Sequence, residues 1–377
     1  MAFAIFPTSS AFAKGNARRP PATLRNQTRG GALRRGERDL RASAAGVESR
    51  PLQNDDSMWW TNLAERILEA PTDAQLGPSG FLRYRENKQG LKLGTYFWPA
   101  EKPRGLIFLI HGHGIHTEFA YLKMTRPGER PVYEGSWVQA FNEQGFSVCG
   151  LDNQSCGRSE GLGGYRVYFD SFDDIVNDSV EFLSEIKAGS EQKFSGLKTF
   201  IVGGSAGGCA AVHAAHSNPS LCDGVVLLAP MLSLEKVSKE GFNRYLKPLL
   251  SLATRLIPSL PIAATTKNDM FPDVQAYYDL DPACWHGKTR IRVASEFLKA
   301  ADWVVREMDN MSFPFFCVHS QDDTMCDLDG SKALFEKCKS EDKELEIVKD
   351  MWHVLVHEPG SEDILNKVLT WVHERSK

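Results

Sequence analysis

The chain has 377 residues, 42% of them hydrophobic and 24% charged, proportions that suit a globular protein with one large or two small cores. A formal net charge of −4 excludes nucleic acid or a strongly anionic membrane as a partner recruited by overall charge. No run approaches the roughly 20 uninterrupted apolar residues of a membrane-spanning helix; the richest, "YLKPLLSLATRLIPSLPIAA", is broken by Lys247, Arg255 and three prolines.

Residues 1–50 differ from the rest. Between Arg18 and Arg41 they carry eight arginines, while Glu37 and Asp39 are the acids before Glu48. An arginine-rich, acid-poor leader of this kind resembles an organellar transit peptide. Its start, "MAFAIFPTSSAFA", is similar to the cleavage region of plastid-targeting leaders in algae with complex plastids, which points to a plastid. The alternative is a disordered basic tail on a cytoplasmic protein.

From residue 51 the chain reads as one domain. "LRYRE" and "LKLGTYFWP" flank the turn Asn87-Lys88-Gln89-Gly90 and predict a hairpin. Short apolar runs at 105–110, 146–151, 199–203, 224–229, 314–319 and 345–349 predict strands buried on both faces. Amphipathic or small-residue stretches alternate with them at 136–144, 171–186, 206–217, 330–340 and 361–376 and predict helices. Strand and helix in alternation imply an α/β fold, a mostly parallel sheet covered on both faces, with its site beyond the carboxyl ends of the strands. After the sixth strand the rhythm breaks, and residues from about 231 to 305 are expected to form a separate subdomain or lid. The eight cysteines, Cys149 to Cys338, contain no CxxC pair and read as reduced, mostly buried thiols.

Gly203-Gly204-Ser205-Ala206-Gly207 fits G-x-S-x-G between an apolar strand and a helix. That context lifts a serine hydroxyl above the sheet, with the positive end of the helix behind it, so Ser205 is the candidate nucleophile. A serine needs a base, and the base an orienting acid, in the chain order Ser, acid, His. Acid candidates are Asp322, Asp323 and Asp327. Among the later histidines, His286 sits in the insertion, His319 precedes the acid and His373 lies in the terminal helix. His353 follows the last strand in a loop, where the base belongs, with His357 as its rival; His213 and His216 lie too far along the helix after Ser205. An oxyanion hole needs the N–H of Ala206 and a second from the loop "HGHGIH", whose glycines suit close backbone approach better than a metal site.

These residues resemble the α/β-hydrolase serine esterases of the monoacylglycerol lipase and lysophospholipase type, related to the S33 serine aminopeptidases. "HGHGIHTEFAY" is similar to the family's HGxGEHxxRY, "GGSAGG" to GHSMGG, "VHSQDDTMCD" to HGxxDxxxD and "MWHVLVHE" to YHxLxxE. "FNEQGFSVCGLDNQSCGRSEG" is similar to its GYxVxxxDxxGHGxSEG, with Ser155-Cys156 in place of Gly-His. The resemblance, from about Leu91 to His353, implies an α/β-hydrolase fold with a helical cap inserted after the sixth strand. It implies Ser205 as nucleophile, Asp323 as acid, His353 as base, and the N–H groups of His113 and Ala206 as the oxyanion hole. No metal and no cofactor are implied. The expected activity is ester hydrolysis of a monoacylglycerol or lysophospholipid through an acyl-enzyme. The cap's "LLSLATRLIPSL" is a candidate membrane contact. A proline iminopeptidase-like peptidase or a small-ester esterase is the enzymatic alternative, and a non-catalytic lipid-binding module the alternative of another class.

Overall fold

The computed structural model describes residues 70–189, 194, 196–235 and 253–377. The arginine-rich leader, together with Leu249 and Leu252 of the apolar cap stretch, lies outside the described residues.

The expected hairpin forms from β1 (Phe81–Glu86) and β2 (Lys92–Trp98), antiparallel from Phe81↔Phe97 to Glu86↔Lys92. Asn87 Oδ1 closes the turn by accepting the N–H groups of Gln89 at 3.0 Å and Leu91 at 2.9 Å. Then follow β3 (Gly105–Ile110), β4 (Phe146–Leu151), β5 (Lys198–Gly204) and β6 (Gly224–Leu228), in which nearly every residue is buried. Side chains alternate across a strand, so each of these runs feeds two cores. Leu106, Phe108 and Ile110 of β3 join the helices 172–188 and 206–217 on one face. Ile107 and Leu109 join the helices 137–143 and 361–375 on the other.

In the inserted region β7 (Pro261–Ala263) and β8 (Thr289–Arg290) pair as a short antiparallel ribbon, where the sequence shows no clear buried strand. The helix Ile291–Glu307 buries Val293, Phe297, Ala300 and Val304 in the same core as the helix 206–217, so it is a layer of the main body. Sheet order is β1-β2-β4-β3-β5-β6-β9-β10, with β9 spanning Phe315–Ser320 and β10 Lys343–Val348. Within this eight-stranded sheet only β2 runs against the rest, which is the expected mostly parallel α/β-hydrolase arrangement. β10 departs from expectation: it is not buried on both faces but lies at the sheet edge, with Ile347 42% exposed. Lys343, Glu344 and Glu346 charge that edge, a guard against pairing with another chain. All eight cysteines are unpaired and, half-buried Cys222 apart, buried.

Candidate active site

β5 ends at Gly204 and the helix Ala206–Ser217 begins two residues later. At the corner Ser205 adopts φ 53° and ψ −122°, a left-handed backbone uncommon for a residue with a side chain. Its N–H donates to Leu228 O at 3.0 Å, and its carbonyl accepts Met231 N–H at 2.9 Å, which holds the strained turn from both sides. A Cβ at Gly207 would lie 2.2 Å from Ile110 O, so glycine there lets the helix start against the end of β3. A Cβ at Gly112 would reach within 3.2 Å of Ser205 Cβ, so the loop after β3 passes directly over the serine. These two approaches carry the His113 and Ala206 backbones to Ser205. Neither N–H donates to a backbone carbonyl among the described residues.

The direction of the His113 N–H is set by His111, a residue to which the sequence assigned no role. His111 Nδ1 is 2.7 Å from Gly112 O, and Asn153 N–H donates to His111 Nε2 at 2.8 Å. Because Nε2 accepts, the proton sits on Nδ1 and goes to Gly112 O. Within a trans peptide the C=O and the next N–H point opposite ways, so pinning the Gly112 carbonyl aims the His113 N–H away from it. Burial pushes the His111 imidazole down to about 4 and keeps it neutral, as this pattern requires. His111→Ala is expected to lower kcat by roughly 10²-fold with KM nearly unchanged, the scale of one lost oxyanion donor. Steady-state kinetics on a soluble ester check this, and an unchanged kcat rules His111 out of the hole's support.

Of the three acid candidates, Asp323 meets the base: its Oδ2 is 2.7 Å from His353 Nδ1. Its Oδ1 accepts the N–H groups of Met325 at 2.6 Å and Cys326 at 3.0 Å. His319 Nε2 approaches the same Oδ2 at 3.2 Å without hydrogen-bond alignment, while its Nδ1 is 2.7 Å from Ser331 Oγ. Burial alone would raise the Asp323 pKa, but the two imidazoles outweigh it and hold the carboxyl well below the usual carboxylate range. Asp322 instead accepts Asp350 N–H at 3.0 Å, and Asp327 stands at the start of the helix Leu328–Lys337.

The rival base points elsewhere. His357 Nε2 is 2.6 Å from Phe119 O, and burial pushes it down to about 4. His213 stacks on Trp303 at 4.0 Å with Nε2 3.2 Å from Ala300 O, and His216 faces Glu307 at 3.9 Å. His286 Nε2 contacts Tyr278 O, and His373 Nδ1 contacts Arg104 Nη1.

Two further residues belong to this corner. Glu358, buried, accepts the N–H groups of Trp352 at 2.6 Å, His353 at 3.0 Å and Val354 at 2.7 Å, and Asn268 Nδ2 of the inserted region at 3.3 Å. Its signal in the sequence is the glutamate five positions after His353. Cys326 Sγ lies 3.9 Å from Ser205 Oγ, and among the described residues no hydrogen bond joins that hydroxyl to His353. Asp323, Cys326 and His353 each bring one donor atom within 4.8 Å of the others. Burial pushes the Cys326 thiol up to about 11, so it is protonated at neutral pH and does not compete as a nucleophile.

The loop after β3 also carries His116. In sequence no third ligand accompanies the histidines of this loop, yet the fold brings Asp281 and Cys284 to His116, all three buried. Nε2 of His116 meets Asp281 Oδ2 at 3.1 Å, so an imidazole already pairs with that carboxylate. Burial disfavours the charged imidazole, but Asp281 outweighs it and raises the His116 pKa. The pair ties the loop after β3 to the inserted region.

Residues 101–360 match the family described as serine aminopeptidase, S33. The chain is 26% identical over 293 residues to the monoglyceride lipase of Homo sapiens, covering 77% of this chain and 89% of the relative. It is 25% identical over 289 residues to the monoacylglycerol lipase of Mycolicibacterium smegmatis, covering 75% and 93%. A soluble variant of the Saccharomyces cerevisiae monoglyceride lipase, solved in complex with a substrate analogue, shares the fold with a TM-score of 0.65 at 20% identity over 82% of this chain and 99% of that one. The matched segment runs from just before β3 to just past the loop of His353 and takes in every residue gathered at the corner, and the chain belongs to the serine aminopeptidase S33 family of α/β hydrolases.

Proposed function

We propose that the protein hydrolyses carboxylic esters of single-chain acyl lipids, monoacylglycerols or lysophospholipids, through an acyl-enzyme. The observation that carries this reading is the Asp323–His353 contact of 2.7 Å at the strand ends, beside a serine held in a left-handed corner. Ser205 Oγ attacks the ester carbonyl and His353 takes its proton. Asp323 holds Nδ1–H and stabilises the imidazolium. The N–H groups of His113 and Ala206 donate to the oxyanion. His353 then gives its proton to the leaving alcohol, and a water deprotonated by His353 releases the fatty acid and regenerates Ser205.

The inserted region supplies an apolar edge, with Leu256 72%, Ile257 48% and Leu260 44% exposed, a pattern that suits contact with a lipid surface. Leu256→Asp with Ile257→Asp is expected to lower turnover of monoacylglycerol in liposomes by about tenfold while sparing a soluble ester. Equal loss on both substrates rejects the membrane contact. The function itself is tested by fatty-acid release from monoacylglycerol and lysophosphatidylcholine, set beside cleavage of a prolyl arylamide. Cleavage of the amide with neither lipid turned over replaces the esterase reading with a peptidase.

A further inference from the structure

Gly112, His113 and Ala206 form one wall of a cavity of about 20 Å³, closed by Asn153, Phe172 and Phe297. That volume admits a single hydroxyl- or water-sized group. Asn153, 7% exposed, is fixed there: its main-chain N–H donates to His111 Nε2 at 2.8 Å and its Nδ2 to His111 O at 3.1 Å. Only the amide nitrogen can donate to a carbonyl, so the carboxamide cannot turn round. Its Oδ1 is left buried with no donor among the described residues.

Of the neighbouring polar groups, Gln154 Oε1 is likewise buried with no donor among the described residues, so a preference carried by Gln154 would survive Asn153→Ala, while the others are committed. Ser155 Oγ–H donates to Gln154 O, and Gln154 Nε2 donates to Asp178 at 3.1 Å and Gln89 at 3.1 Å. The remaining wall is rigid. Ser155 at φ 64° and Val167 at φ 49° are both left-handed, tied by Val167 N–H to Ser155 O at 2.8 Å and Tyr168 N–H to Ser155 Oγ at 2.7 Å. Strain of this kind gathers at ligand clamps.

None of Asp323, Cys326 and His353 borders the cavity. A leaving oxygen has to stay beside His353, so the group that enters from the oxyanion wall belongs to the acyl half of the ester. We propose that this cavity is an acyl-side specificity subsite, in which Asn153 Oδ1 accepts the O–H of a hydroxyl carried two or three carbons from the ester carbonyl, making hydroxyacyl esters a preferred substrate class. This rests on the ester-hydrolase reading above.

The test compares kcat/KM of the full chain on p-nitrophenyl 3-hydroxybutyrate and p-nitrophenyl butyrate, and on glyceryl monobutyrate and propyl butyrate, before and after Asn153→Ala. The hydroxyacyl ester is expected to be favoured about tenfold, the scale of one hydrogen bond to an otherwise orphaned acceptor, and Asn153→Ala to bring that ratio to near one. A ratio cancels any general damage from losing the Asn153–His111 contact, and the wild-type ratio needs no variant at all. Turnover without an acyl preference overturns the subsite alone, as does a preference that survives Asn153→Ala. A glyceryl preference that vanishes in the variant, without an acyl one, moves the acceptor to the alcohol side and likewise overturns it. No turnover of any of the four esters overturns the hydrolase reading and the subsite with it.

Discussion

Ser205→Ala is expected to lower kcat on soluble esters by a factor on the order of 10⁴ to 10⁶ and to leave the fold and lipid binding in place. The substitution removes the oxygen proposed to form the acyl bond and nothing the corner needs to stand. Among the described residues Ser205 Oγ has only a distant contact, the Cys326 thiol at 3.9 Å, whereas the hydrogen bonds that hold the turn come from its main chain. Alanine carries the same Cβ, so the left-handed backbone is neither relieved nor worsened. The melting temperature is expected to shift by less than about 2 °C, on the usual scale of a substitution that makes no cavity and strands no buried polar group. Retained turnover of p-nitrophenyl esters removes Ser205 from the chemistry.

The second large effect separates two histidines four residues apart. His353→Ala deletes the partner of Asp323 Oδ2 and leaves a buried carboxylate facing, among the described residues, His319 and two main-chain N–H groups. Loss of the proposed base is expected to lower kcat by roughly 10⁴- to 10⁶-fold, close to the loss in Ser205→Ala, because groups that act as a unit do not lose activity additively. His357→Ala instead deletes an anchor on Phe119 O and an edge contact with the Phe119 ring at 5.7 Å. That is a stability effect, with kcat expected to stay within about tenfold of wild type while the melting temperature falls by several degrees. Side-by-side kinetics and melts decide it, and a fully active His353→Ala protein removes that residue as the base.

Much of the architecture was legible in the sequence because its central strands are buried on both faces and so read as unbroken apolar runs. β10 was read the same way, yet Glu346 between Leu345 and Ile347, with Lys343 and Glu344 before them, marks an edge. The helix Ile291–Glu307 falls largely in the stretch expected to be a separate subdomain, and the layer it joins was not legible, since its partner helix lies some eighty residues earlier. At the site, the serine is announced by local glycine spacing. The acid is not: Asp322, Asp323 and Asp327 share one loop, and the family resemblance, not residue chemistry, favoured the one that meets His353. His111, His319 and Glu358 stayed unassigned for a common physical reason. Each acts on main-chain or carboxylate groups through contacts that only the folded chain creates, as with His111 and Asn153, 42 residues apart.

Glu358 gathers four donors, three from the loop that carries His353 and one, Asn268, from the inserted region. The division is unequal in a useful way. If the inserted region swings aside to admit a bulky lipid, the carboxylate loses its longest contact, 3.3 Å, and keeps the three that fix the imidazole's backbone. Under the proposed chemistry, entry by such a movement would be mechanically decoupled from the alignment of His353, whose backbone keeps its anchor either way.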